Sequence, residues 1–132
     1  MKKNVLAIEI CRPVGVVFEY TKNPANTLKW IPSIIEEKTS EKPVGIGTIY
    51  RQKVKAGSKT KKSALVITGF IKNKRLDFHE VNGNYSCSYE YAPSRRGTKL
   101  AYSEENGVEG KLDSPMKMEN LRKLKRLIEG NI

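Results

Sequence analysis

Leu6, Ile8 and Ile10 alternate with Val5, Ala7, Glu9 and Cys11 over residues 4–12, the period-two pattern of a strand with one buried face. Arg12-Pro13 ends it, and Pro13 suits the first position of a helix. Val14, Val17 and Phe18 then recur at helical spacing, predicting a short amphipathic helix to about Tyr20. Asn23-Pro24 starts a second helical turn, with Leu28, Trp30 and Ile31 as an apolar cluster at its exit. A strand is expected over 34–38 and a turn over 41–45. Over 46–54, Ile46, Thr48, Tyr50, Gln52 and Val54 oppose Ile49, Arg51 and Lys53. Residues 55–62 read as a polar hairpin tip, residues 64–71 as a strongly β-prone strand, and Asn73-Lys74 as its turn. Next, Leu76, Phe78 and Glu80 share one face against Asp77, His79 and Val81. Asn82-Gly83 is the strongest hairpin signal in the chain. Beyond it Tyr85, Cys87, Tyr89 and Tyr91 line one face, with Ser86, Ser88 and Glu90 behind them. Arg95-Arg96-Gly97 turns into a last strand, where Thr98, Leu100, Tyr102 and Glu104 oppose Lys99, Ala101 and Ser103.

The chain closes on a predicted helix. Ser114 is placed to cap it, Pro115 to open it and Gly130 to stop it. Met118, Leu121, Leu124, Leu127 and Ile128 form a one-sided apolar stripe, which needs a partner surface to bury it. The hairpin-connected strands supply one. The pattern therefore predicts an α+β architecture, a long C-terminal helix laid over a curved antiparallel sheet.

Charge and cysteine content narrow the picture. At 132 residues the chain is expected to form one domain over 1–132, large enough for a core without staples. Its two cysteines, Cys11 and Cys87, fall on opposite strand faces, so they read as reduced thiols of a cytoplasmic protein rather than a disulfide. Met1-Lys2-Lys3 precedes the apolar Val5-Leu6-Ala7-Ile8, but Glu9 and Arg12 interrupt the run and no signal segment forms. No stretch approaches the ~20 apolar residues of a membrane span. One histidine and two separated cysteines make no zinc site, and no cofactor or metal is expected. The net charge is +11. Its basic segments, 53–62, Arg95-Arg96 and 122–126, fall at hairpin turns and on the solvent face of a helix. No recognised nucleic-acid module accompanies them, so they read as a solvated surface.

The ordered set Arg12-Pro13-Val14, Val17-Phe18-Glu19-Tyr20, Asn23-Pro24, Trp30-Ile31-Pro32, Gly45-Ile46-Gly47-Thr48-Ile49-Tyr50-Arg51, Gly97-Thr98 and the final helix resembles the START/Bet v1-like superfamily. That superfamily is also called SRPBCC or polyketide cyclase/dehydrase-like. The resemblance spans essentially the whole chain. It implies a helix-grip fold: a curved antiparallel sheet, two short N-terminal helices and a long C-terminal helix over an internal cavity. In such proteins the cavity often holds a lipid, hormone, aromatic polyketide or other apolar molecule. Members include carriers, cyclases, dehydratases and activators of a chaperone ATPase, and the fold does not choose among them.

Within that frame Tyr50, Tyr85, Tyr89, Tyr91 and Tyr102 either line a cavity or fill a core. A phenol offers an apolar wall with a polar tip. Trp30 is a lid or a core residue. Glu80 and Glu104 share parity with apolar neighbours and are either cavity carboxylates or solvated charges at strand ends. His79 is turned to the outer face. Cys87 has no charge partner to make it a nucleophile. The expected ligand site is Trp30, Tyr50, Phe78, Tyr85, Tyr89, Tyr102 and Glu104, with Leu121 and Leu124 closing the helix side. Its expected occupant is a small hydrophobic or aromatic molecule. The alternatives are a cyclase or dehydratase moving a proton through a cavity Glu or Tyr, and a non-enzymatic interaction module of the chaperone-activator kind.

Overall fold

The computed structural model describes residues 2–107, 112 and 115–130, apart from the side chains of Lys2 and Ala56. Strand β1 (Lys2–Ile10) leads into α1 (Val14–Lys22) and α2 (Pro24–Trp30). Six strands follow: β2 (Ile34–Thr39), β3 (Ile49–Ala56), β4 (Lys59–Ile71), β5 (Arg75–Glu80), β6 (Tyr85–Ser94) and β7 (Gly97–Asn106). The chain then reaches α3 (Met118–Gly130). The strands form one sheet in the order β1-β7-β6-β5-β4-β3-β2, antiparallel at every pairing. Helices α1 and α2 carry the chain from one sheet edge to the other. Helix α2 packs on β2, and α3 lies against β1 and α2.

Local chemistry sets the helix boundaries. Asn23 caps α2 by accepting from the Ala25 N–H at 3.0 Å, and Pro24 opens that helix, where its missing N–H costs nothing. Pro13 stands one position before α1 instead of inside it. At α3 the expected start is displaced. Pro115 lies ahead of the helix, the Ser114 cap falls outside the described residues, and the helix begins at Met118. There Asn120 Oδ1 reaches back to accept from the Lys117 N–H at 3.0 Å, which satisfies one of the orphan donors of a helix start. Gly130 is the last helical residue and not a stop beyond it.

The expected polar tip over 55–62 is mostly paired strand. Lys55 faces Thr60 and Val54 faces Lys61, and only Gly57 and Ser58 turn. Ladder hydrogen bonds belong to the backbone, so a ribbon projecting past the core can be polar on both faces and still be a strand. Leu28, read as part of the apolar cluster at the α2 exit, and Ile46, read as part of the β3 strand, are 45% and 63% exposed. Trp30 takes the buried side of the α2 exit, and Ile46 sits in the turn ahead of β3.

Two bulges decide which side chains face inward. One lies in β4 between Ile67 and Gly69, so that Leu65, Ile67 and then Phe70 face inward despite their mixed parity. Gly69 makes this approach possible: a Cβ there would lie 2.1 Å from Oδ2 of Asp77, which Arg75 holds at 2.8 Å. The other lies in β2 between Ile34 and Glu36. There an extra residue flips the following face.

The tightly packed core sits at one end of the sheet. Ile10, Phe18, Leu76, Leu100, Leu121, Leu124 and Ile128 are sealed there. Phe18 meets Phe70 and Tyr91 edge-on with ring centroids 5.5 and 5.2 Å apart. Toward the other end, where β7 finishes and β6 begins, the space between sheet and helices is not filled.

Candidate functional site

That unfilled space is a cavity of about 180 Å³. Tyr50 from β3, Phe78 from β5, Tyr85 and Tyr89 from β6, Tyr102 from β7 and Trp30 from α2 all line it. The rings brace one another edge-on. Tyr50 meets Phe78 at 5.1 Å, Phe78 meets Tyr89 at 6.1 Å, Tyr89 meets Tyr102 at 5.0 Å and Trp30 meets Tyr89 at 6.4 Å. This is the preferred geometry of quadrupolar faces. The wall is therefore rigid before any ligand arrives.

Seven of the nine residues expected at the site line the cavity. Leu121 and Leu124 do not. Both are fully buried in the core: Leu121 directly follows the cavity-lining Asn120 but faces the core, and Leu124 lies a turn further along α3. The helix side of the cavity is instead formed by Leu112, Pro115, Met116 and Asn120. Tyr91 is likewise absent from the wall. It is buried against Phe18, with its hydroxyl 2.5 Å from Thr21 Oγ1. Glu80 stands at the cavity mouth with Lys61, Ser63 and Asn106. His79 is exposed on the outer face.

Glu104 is 3% exposed and is not solvated. Its Oε1 accepts from the hydroxyls of Tyr85 at 2.7 Å and Tyr102 at 3.2 Å. Its Oε2 accepts from Asn4 Nδ2 at 2.8 Å and from the Met116 N–H at 2.6 Å. Four donors fill the acceptor capacity of an ionised carboxylate. Strands β1, β6 and β7 and the segment before α3 are tied together at this one group.

Glu37, across the cavity on β2, was not among the expected site residues. The β2 bulge turns it inward alongside Gln52 and Tyr50. Thr27 Oγ1 donates to its Oε1 and Gln52 Nε2 to its Oε2, each at 2.5 Å. Those two bonds lower its pKa, but burial outweighs them and the carboxyl is held above its ordinary value. The sequence did contain a signal. Ile34-Ile35-Glu36-Glu37 places two apolar and two acidic residues in succession, a break in alternation that a regular strand with one buried face would not show.

Burial pushes the phenols of Tyr50, Tyr85, Tyr89 and Tyr102 up, with further upward pushes from the negative Glu37, Glu104 or both. The Cys87 thiol, buried among them, is pushed up to about 12, which keeps it protonated and unreactive. The Tyr50 hydroxyl donates to the Lys22 carbonyl at 2.7 Å. The Tyr89 hydroxyl alone of these has no hydrogen-bond partner among the described residues, and it is not sealed off from open space. It is a free polar point inside an aromatic box.

The raised carboxyl of Glu37 gives a signed prediction. Because its folded pKa exceeds the unfolded one, the folded state takes up the proton first. This group's stabilising effect is complete below the unfolded value and is lost as pH rises through the folded value. Glu37→Gln removes that titration while keeping the shape. Urea midpoints at pH 8 and pH 5 should show wild type gaining stability relative to the variant at the lower pH.

No protein-family model and no curated protein matches the chain. Solved structures do. Protein DR_A0006 from Deinococcus radiodurans is 15% identical over 100% of both chains, with a TM-score of 0.79. The di-domain ARO/CYC StfQ from the steffimycin biosynthetic pathway is 12% identical and superposes with a TM-score of 0.74. Its match covers 98% of this chain but 51% of StfQ. Ara h 8.0201 is 19% identical over 98% of this chain and 95% of its own, with a TM-score of 0.65. At these identities the likeness is one of fold. The fold shared with these structures is the helix-grip fold, a curved antiparallel sheet against a C-terminal helix. Among the described residues, no helix is long and apolar enough to cross a membrane and no group of three or more acidic, His or Cys side chains could hold a metal ion.

Proposed function

We propose that the protein binds a small apolar or aromatic molecule in the cavity between the sheet and α3. The observation that carries this reading is the pre-braced box of aromatic side chains around about 180 Å³ of unfilled space, with the Tyr89 phenol inside it unpartnered among the described residues. Apolar walls supply the binding free energy and a few polar groups set the orientation. An apolar cavity of ~150 Å³ holds a benzene ring, so the expected occupant has one or two rings. Glu104 serves in this reading as the knot that positions Tyr85 and Tyr102. With four protein donors on it, it has no lone pair to spare for a substrate proton, which tells against a cyclase built on Glu104.

Native mass spectrometry of gently purified protein, set beside the same sample denatured, tests the reading. An extra mass lost on denaturation supports it. A titration with 2-phenylethanol followed in the amide and indole N–H spectrum supplies the second arm. Saturable shifts at Trp30, Tyr89 and Met116 are expected. A clean protein mass together with no saturable shift at these residues overturns the reading.

Tyr89→Phe separates packing from recognition. The ring stays, and only an unpaired hydroxyl is lost. Thermal and urea midpoints should stay within the equivalent of about 0.5 kcal/mol of wild type. Affinity for 2-phenylethanol should fall about 3- to 10-fold, the worth of one hydrogen bond.

A further inference from the structure

We propose that the ligand carries a protonated amine, received by Glu37, while its ring lies among Tyr50, Phe78 and Tyr89. This rests on the ligand-binding reading above and names its chemical class. Two carboxylates, Glu37 and Glu104, face the cavity from β2 and β7. Their hydrogen-bond donors among the described residues are neutral: Thr27 and Gln52 on Glu37, and Asn4, Tyr85, Tyr102 and the Met116 N–H on Glu104. At the mouth, Lys61 and Glu80 offset each other in formal charge. Glu37 and Glu104 thus bring two acidic groups to the inner wall of a strongly basic protein. Their field bears on the phenols, since Glu37 raises Tyr50 and Tyr89, and Glu104 raises Tyr85 and Tyr102.

The two carboxylates differ in what they can still do. Glu104 accepts four protein hydrogen bonds and is filled. Glu37 accepts two, one on each oxygen, and keeps about two further acceptor sites. An anionic ligand would meet repulsion from both. A neutral one would leave Glu37 with only its Thr27 and Gln52 hydrogen bonds and the cost of its burial unrelieved. An ammonium supplies the missing partner, and the aromatic faces around it favour a cation further. The Tyr89 hydroxyl, on a residue 8% exposed, is a second polar contact pointing into the same space. The lysines and arginines outside do not cancel this preference, because solvent and salt screen them over ~8–10 Å.

The test compares three probes of one shape: 2-phenylethylamine, 2-phenylethanol and 3-phenylpropionate, titrated at pH 7.5 into wild type and Glu37→Gln by calorimetry and amide shifts. The amine is expected to bind wild type at least 10-fold tighter than the alcohol, and the propionate weakest of the three. In Glu37→Gln the amine and the alcohol should become equal within about 3-fold. The wild-type ranking decides the matter even if the variant folds poorly. If the alcohol binds as well as the amine, or the variant keeps the preference, the amine assignment falls while the ligand-binding reading stands. If no probe binds, the amine assignment falls, and the ligand-binding reading falls with it when native mass spectrometry also shows a clean protein mass.

Discussion

Glu104→Ala is expected to lower the free energy of unfolding by about 3–5 kcal/mol, the cost of leaving several buried donors without an acceptor. The side chain is small, so lost packing is a minor share. The larger share is four stranded donors: the Tyr85 and Tyr102 hydroxyls, the Asn4 amide and the Met116 N–H. Glu104→Gln distinguishes this account from a packing account. Its carbonyl can keep the Asn4 and Met116 bonds, and its amide can donate to the tyrosine hydroxyls, which rotate to accept. A cost of about 1–2 kcal/mol is expected for that variant, read from urea midpoints at unchanged slope. Equal losses in the two variants would show that the negative charge itself, and not the count of satisfied donors, holds the site. Because Asn4 also donates to the Met116 carbonyl at 2.9 Å, the alanine variant should also loosen the segment before α3. Faster amide exchange at Met116 than at Leu124 would report it.

The strand faces that alternate without interruption were legible in the sequence, and they carry most of the site. Cys87, Tyr89, Leu100, Tyr102 and Glu104 are buried and the half-buried Tyr85 lines the cavity, all in strict period two as their parity predicts. Their register is pinned by pairings such as Tyr89 with Tyr102 and Cys87 with Glu104. Glu37 was hidden because a bulge moves one residue out of register, and parity carries no mark of it beyond a doubled apolar pair. The assignment of Leu121 and Leu124 to the cavity failed for a different reason. A stripe gives the buried side of a helix but not which of its buried residues meet the core and which the cavity: Leu121 is in the core while its neighbour Asn120 lines the cavity. That division is set by where the helix starts, and Asn120, not Pro115, fixes the start. Composition was silent on the sign of the interior. A net charge of +11 averages over a surface of lysines, whereas the groups inside the cavity depend on which side chains the strand faces and the β2 bulge turn inward, Glu37 and Glu104 among them.

Gly97→Ala is expected to cost about 3 kcal/mol or more, combining backbone strain with overpacking. Gly97 opens β7 after the Arg95-Arg96 turn with φ at +155°. A Cβ there would lie 2.5 Å from the Ile10 carbonyl and 2.6 and 2.7 Å from the Arg12 N and O atoms. All three obstacles are backbone, at the end of β1 and in the link that joins it to α1. That link cannot yield freely. Thr98 Oγ1 donates to the Arg12 carbonyl at 2.8 Å, and Cys11 N–H donates to Glu129 Oε2 at 2.8 Å. The Arg12 guanidinium also donates to the Glu129 carbonyl near the end of α3. Moving the link therefore disturbs β7, α1 and the anchor of α3 together. Gly83→Ala is the matched control. Its Cβ would come nominally closer to an atom, 1.8 Å from Glu80 Oε1, but that atom ends a flexible side chain and can rotate away. A cost below about 1 kcal/mol is expected there. If the two variants unfold at the same urea concentration, the fixed approach of β7 to the β1–α1 link is not what Gly97 provides.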